Sequence, residues 1–335
     1  MTMRSKLFLP NLVGLLVLAC LAAPTCRGES LANVLKRVDD EDFAARVNGN
    51  RVAGAGTTLN IREIVIGRCW DYQRVTGMNQ GRPLIEVICG TTAWPAFVNA
   101  FAFQNPCNVR EDAFRSFTNI MTVSLPRNGT IFWSGTKNLA KMYSELSGGT
   151  MFSLETTFVG YTVNDLTWCG TPLGAGINYA SCPSFDDPSC PSQASTVFWG
   201  SASKLFARQA RGSVSVLLNG SDSRGAFRNN SVFSTVELPN LDSSLVDFVN
   251  IIVVHDLDGQ IVDTCDSGTI LILKDRIIKR GMKWTCEDDP KLAKLIQCTE
   301  KPDYHRCNLA SRVHSRSWNF VVLTVLASFW ITGTG

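Results

Sequence analysis

Phe248-Val-Asn-Ile-Ile-Val-Val254 is the stretch whose reading decides the fold. It is short, β-branched and almost wholly apolar, without the in/out alternation of a half-exposed strand. A strand covered on both faces has this composition, so it is expected near the centre of a sheet. Ser213-Val-Ser-Val-Leu-Leu218 reads as a second buried strand. Leu271–Arg280 carries helical spacing, and Lys283–Cys286 is a candidate third strand. Strand–helix–strand order predicts a parallel sheet with right-handed crossovers. Upstream, Phe97–Phe103 and Glu111–Val123 place apolar residues at helical intervals, Pro95 sits where a helix start tolerates it, and Pro106 and the Pro126–Gly129 turn punctuate them. Residues 166–195, rich in Gly, Pro, Ser and Cys, suggest a cross-linked loop region. The expected fold class is therefore mixed, α+β or α/β. A mainly helical N-terminal lobe, about 29–165, is followed by an α/β lobe, about 166–310, whose short parallel sheet is flanked by helices. The cleft between the lobes is the expected place for an active site.

The two ends read as signals. Arg4 and Lys6 precede the apolar run Leu7–Ala22, and small residues follow at Ala22, Ala23 and Gly28, so 1–28 is expected to be a cleaved signal peptide. The run is short for a membrane span, which needs roughly 20 residues. At the other end, polar Ser311–Ser317 precedes the uncharged Trp318–Thr332, with small residues near Asn308, Ala310 and Ser311. Small site, polar spacer and apolar tail in that order mark 311–335 as a GPI-attachment signal that is removed; a buried final helix or an unmodified spanning tail are the alternatives. Removing 1–28 takes away Arg4, Lys6 and Arg27 and no acid, which brings the formal charge from +3 to zero. No basic patch argues for nucleic acid.

Of 12 cysteines, Cys20 and Cys26 fall in the signal. The remaining Cys69, Cys89, Cys107, Cys169, Cys182, Cys190, Cys265, Cys286, Cys298 and Cys307 are even in number, as expected for five bridges in an oxidising compartment. Spacing leaves about 945 pairings open. A metal site is not expected, since the chain has no C-x-x-C pair and only His255, His305 and His314. Sequons at Asn128, Asn219 and Asn229 fit secretion and predict glycosylated surface loops.

Common catalytic signatures are missing: no phosphate-binding G-x-x-x-x-G-K-[ST], no G-x-S-x-G, no H-E-x-x-H. So few histidines disfavour Ser/His or Cys/His chemistry, and what remains is carboxylates and aromatics, the tools for a glycosidic bond whose cleavage develops positive charge on a sugar ring. Three segments stand out: Ile131-Phe-Trp-Ser-Gly135; Ser153-Leu-Glu-Thr-Thr157 with Gly160-Tyr161 and Trp168-Cys-Gly170; and Val197-Phe-Trp-Gly200 with Ser203 and, further on, Glu237-Leu-Pro-Asn240. Singly each is weak, because a tryptophan is more often core than ligand platform and a Glu before Leu-Pro is more often a solvated residue.

Together with Gly67-Arg-Cys-Trp-Asp-Tyr72, Phe103-Gln-Asn-Pro-Cys107, Leu218-Asn-Gly-Ser221 and Val236-Glu237, they resemble the ADP-ribosyl cyclase family of NAD glycohydrolases and cyclic ADP-ribose hydrolases. The resemblance spans roughly Ile61–Leu309, and all ten mature cysteines fall at family positions. It implies the bridges Cys69–Cys89, Cys107–Cys190, Cys169–Cys182, Cys265–Cys286 and Cys298–Cys307. It also implies Glu237 as the catalytic carboxylate, Trp133 and Trp199 as walls at the mouth, Glu155 as the acid that contacts nicotinamide, and Ser134 and Ser203 near the phosphates and ribose. Thr156 stands where many relatives carry Asp, and Asn164 where some do, which touches the detail of nicotinamide recognition. Val232, five residues before Glu237, is expected to modulate the product ratio by its size.

The resemblance further implies an enzyme that cleaves the nicotinamide–ribose bond of NAD, giving nicotinamide with cyclic ADP-ribose, ADP-ribose or both, and base exchange on NADP. Such an enzyme supplies calcium-mobilising messengers and needs no cofactor, NAD being the substrate. The expected location is the secretory pathway, at the cell surface or in a vesicle lumen, lipid-anchored, with a homodimer left open. The rivals are a GPI-anchored adhesion or receptor module and an ordinary glycoside hydrolase using Glu155 and Glu237 as its carboxylate pair.

Overall fold

The computed structural model describes residues 55–76, 87–185, 187–305 and 307. The expected signal peptide (1–28) and attachment signal (311–335) lie outside the described residues, as do Cys20, Cys26 and His314. In chain order the elements are α1 (Ile61–Asp71), α2 (Trp94–Val98), α3 (Arg115–Ile120), β1 (Thr130–Ser134), α4 (Lys137–Leu146), α5 (Phe158–Val163), α6 (Ala194–Gln209), β2 (Gly212–Asn219), α7 (Leu238–Asn240), β3 (Val246–Val254), α8 (Thr269–Lys279), β4 (Lys283–Asp288) and α9 (Lys291–Glu300).

The sheet runs β1-β2-β3-β4, every neighbouring pair parallel. The strand expected at its centre, β3, is flanked by β2 and β4. Alternate residues face opposite sides. Phe132, Val216, Leu218, Val249, Ile251 and Val253 join the large core, with Phe206 of α6 and Leu273 and Ile277 of α8. Ile131, Leu217, Ile252 and Val254 join a smaller core with Leu139 and Ala140 of α4 and Ala293 and Ile296 of α9. Burial on both faces is why β3 reads as an unbroken apolar run.

The first half of the chain departs from the helical expectation in one consequential place. Thr130-Ile-Phe-Trp-Ser134 is the edge strand β1, registered Phe132 to Val216 and Ser134 to Leu218. A short apolar run is compatible with helix or strand, and only the exposed edge of β2 resolves the choice. The helices there are also shorter than their periodicity. After Val98 the chain turns, Phe103 takes φ +59 and its N–H pairs with the Gly176 carbonyl at 2.9 Å; the Glu111–Val123 segment is α-helical only over α3.

One hydrophobic core links the two expected lobes, taking Ile61, Val65, Phe97, Phe114 and Phe158 from the first and Phe198, Val216, Ile251 and Leu273 from the second. At its helical end the Phe97 ring, fully buried, lies 5.1–6.1 Å from Trp94, Phe101, Phe114, Phe117 and Trp168. The five disulfides are Cys69–Cys89, Cys107–Cys190, Cys169–Cys182, Cys265–Cys286 and Cys298–Cys307, the pairing that the family resemblance implies. Cys107–Cys190, whose ends are 83 positions apart, ties the loop region before α6 back to the N-terminal half. Three of the others join cysteines only 9, 13 and 20 positions apart along the chain.

Phe97→Ala removes the hub of the aromatic cluster. It is expected to lower unfolding free energy by about 3–5 kcal/mol, read as a shifted denaturant midpoint with an unchanged slope.

Candidate active site

All four strands point the same way, so their C-terminal ends share one edge of the sheet, and crevices beyond that edge are where open parallel sheets bind ligands. The last two residues of β1 lie there on opposite faces. Trp133 packs beside the smaller core and Ser134 is buried on the side of the larger one.

The Trp133 indole Nε1–H donates to both carboxylate oxygens of Glu155 at 3.1 Å. Glu155 sits in the short turn Leu154–Thr156, and Thr156 fixes that turn. Its hydroxyl donates to the Ser153 carbonyl at 3.1 Å, accepts from the Ser153 N–H at 3.1 Å and meets the Ser144 hydroxyl of α4 at 2.6 Å. The Thr156 side chain is thus committed to scaffolding, while Glu155 is held against the indole, 5% exposed. Burial raises the Glu155 pKa; its hydrogen bonds and the Lys137 charge offset part of that rise.

Glu237 comes from a different element. It ends a wide π turn, Phe233–Glu237, that runs directly into α7. The Leu238 N–H reaches back five residues to the Phe233 carbonyl, and the following Pro239 has no N–H to restore the four-residue register. The turn packs on β1 and α6 through Phe233, whose ring is 5.8 Å from Phe132. Glu237 is 6% exposed. Desolvation, and then the neighbouring charge of Glu155, push its pKa up to about 8, against a smaller opposing effect of the Ser203 hydroxyl turned toward it. Two buried carboxylates share a site with little to neutralise them, which is an environment that attracts a cation.

Ser203 lies on α6 one turn after Trp199, so both project from the same helix face. The Trp199 ring stands edge-on to Phe198 at 4.9 Å and stays partly exposed. Trp133, on a strand, meets Glu155 directly; Trp199, on a helix, shares its face with Ser203, whose hydroxyl is turned toward Glu237. Val232 lies at the entrance to the π turn, 36% exposed. Asn164 ends α5, 6% exposed, its amide donating to Asp165 at 2.9 Å. Asp165 in turn holds Lys137 at 2.6 Å, the cation whose charge acts on Glu155. No bond to either glutamate is made by Asn164 itself. Two cations of the site escape the sequence reading: Lys137, and Arg228, whose guanidinium donates to Ser134 Oγ. Neither lies in a motif, and a lone basic residue in a sequence of near-neutral charge carries no signal of its own.

Comparisons with known proteins give a consistent result. A family model described as ADP-ribosyl cyclase matches residues 58–307. ADP-ribosyl cyclase/cyclic ADP-ribose hydrolase 1 of Mus musculus is 36% identical over 256 residues, covering 76% of this chain and 82% of that protein. The crystal structure of Aplysia cyclase with its substrate NGD and product cGDPR superimposes with TM-score 0.70 at 32% identity, over 77% of this chain and 100% of that one. Porcine CD38 with a covalent intermediate, ribo-F-ribose-5'-phosphate, superimposes with TM-score 0.64 at 36% identity, over 70% and 98%.

The raised Glu237 pKa has a definite consequence for stability. Between the ordinary value of 4.5 and about 8 the unfolded chain has lost this proton and the folded protein still holds it. Stability therefore falls as pH rises through that window and levels off above it. Glu237→Gln, neutral throughout, is expected to flatten most of the slope and to be more stable than the wild type near pH 8, by on the order of a few kcal/mol. Urea midpoints at about pH 5 and about pH 8.5 check this, and equal slopes in both proteins would refute it.

Proposed function

The chain belongs to the ADP-ribosyl cyclase family, and from that premise we propose how its own residues carry out NAD cleavage. The enzyme breaks the bond between ribose C1′ and the pyridinium nitrogen of NAD. The electron pair leaves with the ring, which departs as neutral nicotinamide, so no general acid is needed and the paucity of histidine is no obstacle. The ribosyl centre becomes oxocarbenium-like, and Glu237 stabilises that positive charge from a site where burial strengthens electrostatics. The observation that carries this reading is the placement of Glu237, buried, beside a second buried carboxylate and the Ser203 hydroxyl. A carboxylate held protonated near neutral pH in the empty site ionises when a pyridinium enters beside it, because an opposite charge lowers its pKa.

Trp133 and Trp199 provide flat walls for the nicotinamide end. Glu155, oriented by the Trp133 N–H, accepts a hydrogen bond from the carboxamide, Ser134 and Ser203 contact the phosphates and ribose, and Asn164 supports the nicotinamide side. Water captures the ribosyl intermediate to give ADP-ribose and a proton; the substrate's own adenine captures it to give cyclic ADP-ribose. The reading extends to NADP and to base exchange by a free pyridine, and requires no cofactor. The messengers so formed are calcium-mobilising.

Five disulfides fit an oxidising compartment and an extracellular or secreted domain. The finer reading is a signal peptide over 1–28, an enzymatic ectodomain over 29–310 and a lipid anchor attached on removal of 311–335, with the enzyme facing the cell exterior or a vesicle lumen. Exposed Asn128 and Asn229 are the favourable glycan acceptors. Asn219 is half-buried, accepting from the Ser221 N–H at 2.8 Å and donating to Asp256 at 3.4 Å, so a glycan there replaces the second bond.

Glu237→Gln is expected to cut NAD turnover by at least about a thousandfold while the protein still folds and is secreted; near-normal nicotinamide release would defeat the assignment. Val232→Phe, which adds bulk at the half-exposed residue just before the π turn, is expected to change the ratio of cyclic to linear product severalfold with total turnover largely kept. Chromatography of the products from NAD reads it directly, and an unchanged ratio would remove Val232 from the account.

A further inference from the structure

We propose that Arg228 grips the diphosphate of the dinucleotide and makes the site select for phosphorylated pyridinium nucleosides; this rests on the NAD-cleaving reading above.

Arg228 lies in the connection from β2 to the Glu237 turn, its side chain 20% exposed. Its Nε and Nη2 donate to Ser134 Oγ at 3.3 and 3.0 Å. Among the described residues its carboxylate neighbour is Asp222, whose Oδ2 is 3.7 Å from Nε, too far for a hydrogen bond. Asp222 is in any case engaged by Arg224, through Nε to Oδ1 at 3.0 Å and Nη2 to Oδ2 at 2.9 Å. Among the described residues, this mostly buried guanidinium therefore donates its side-chain hydrogen bonds to a neutral hydroxyl and shares its ion-pair partner, Asp222, with Arg224. Ser134 Oγ, accepting from the arginine, must direct its own proton elsewhere, and it is 3% exposed. The pair thus presents a hydroxyl donor and the unused N–H groups of a planar fork, the donor set that suits phosphate oxygens.

The surroundings support an anion here. Two buried glutamates occupy the part of the site that receives the cationic ring, and unopposed they repel the diphosphate that follows it. Lys137, the other cation, is bound to Asp165 and acts on Glu155. Gly135, after Ser134, brings no side chain to this edge and has φ +76. The backbone that carries Arg228 is fixed in advance: the Ala226 N–H donates to Asp263 at 2.8 Å, the Phe227 N–H to Thr269 Oγ1 at 2.9 Å, and the Phe227 ring packs 6.1 Å from Phe233 with the Arg276 guanidinium 5.1 Å above it. The plain alternative is that Arg228 is a strut pinning this loop to β1.

The full-length protein, expressed through the secretory pathway, is assayed on NAD and on nicotinamide riboside, which has the same scissile bond and no phosphate. Arg228→Met is expected to raise KM for NAD by about 10- to 100-fold, the loss typical of a charge-assisted contact, with kcat within about threefold. KM for the riboside is expected to stay within about twofold, so that the preference for NAD collapses; Arg228→Lys recovers part of it. A strut predicts instead that both substrates lose kcat alike, and that result, or an unchanged KM for NAD, would overturn the assignment while leaving NAD cleavage standing. The wild type offers a test independent of any variant: inorganic pyrophosphate should compete with NAD, and no inhibition at millimolar concentration would also overturn it. Failure of the wild type to turn over NAD at all would instead sink the underlying functional reading.

Discussion

Two carboxylates are taken out of water within one site, and much of the local architecture is explained by what it takes to hold them there. An isolated carboxylate in an apolar setting protonates or finds donors. Glu155 finds the Trp133 indole on both oxygens, in a turn braced by Thr156 and Ser144. Glu237 finds one hydroxyl, and its affinity for a proton rises accordingly. The consequence is a pair of carboxylates that prefers a positive partner, a proton in the free enzyme or, in the proposed reaction, a pyridinium and then a ribosyl cation.

The parallel sheet makes this arrangement rigid. β1, β2 and β3 send side chains into both cores, so side chains at their C-terminal ends cannot drift without disturbing one of the two. β1 contributes Trp133 to one face and Ser134 to the other. The same two-residue period that buries Ile131 and Phe132 on opposite sides therefore separates the part of the site at Glu155 from the part that meets Arg228. The π turn carrying Glu237 rests on Phe132 through Phe233, and α6 presents Trp199 and Ser203 one turn apart. Precision is inherited from strands and helices, while the loops around them are held by disulfides. That division suits a chain in which long stretches, such as 166–193, have little regular structure.

Removing charge and moving charge have different effects in such a site. Losing a carboxylate relieves desolvation and favours the fold, yet in the proposed reaction it removes the group that stabilises the reacting centre. Strain between stability and activity is expected wherever a protein keeps an ionisable group buried for use rather than for packing.

The sequence by itself determined the strands β2, β3 and β4, the helix α8, the cross-linked loop region and, through its motifs, the family and the cysteine pairing, and it named Trp133, Glu155 and Glu237, which the structure brings together. These are encoded in composition over a few residues or in patterns that survive divergence. Only the tertiary structure decided that Thr130–Ser134 is a strand, because an apolar pentapeptide has no period long enough to choose and pairing with β2 settles it. Only there does Thr156 prove to be a brace for Glu155. Only there, too, do Lys137 and Arg228 enter the site, since the value of a charge depends on what lies opposite it and on how much water has been removed, and neither is written in the neighbouring residues.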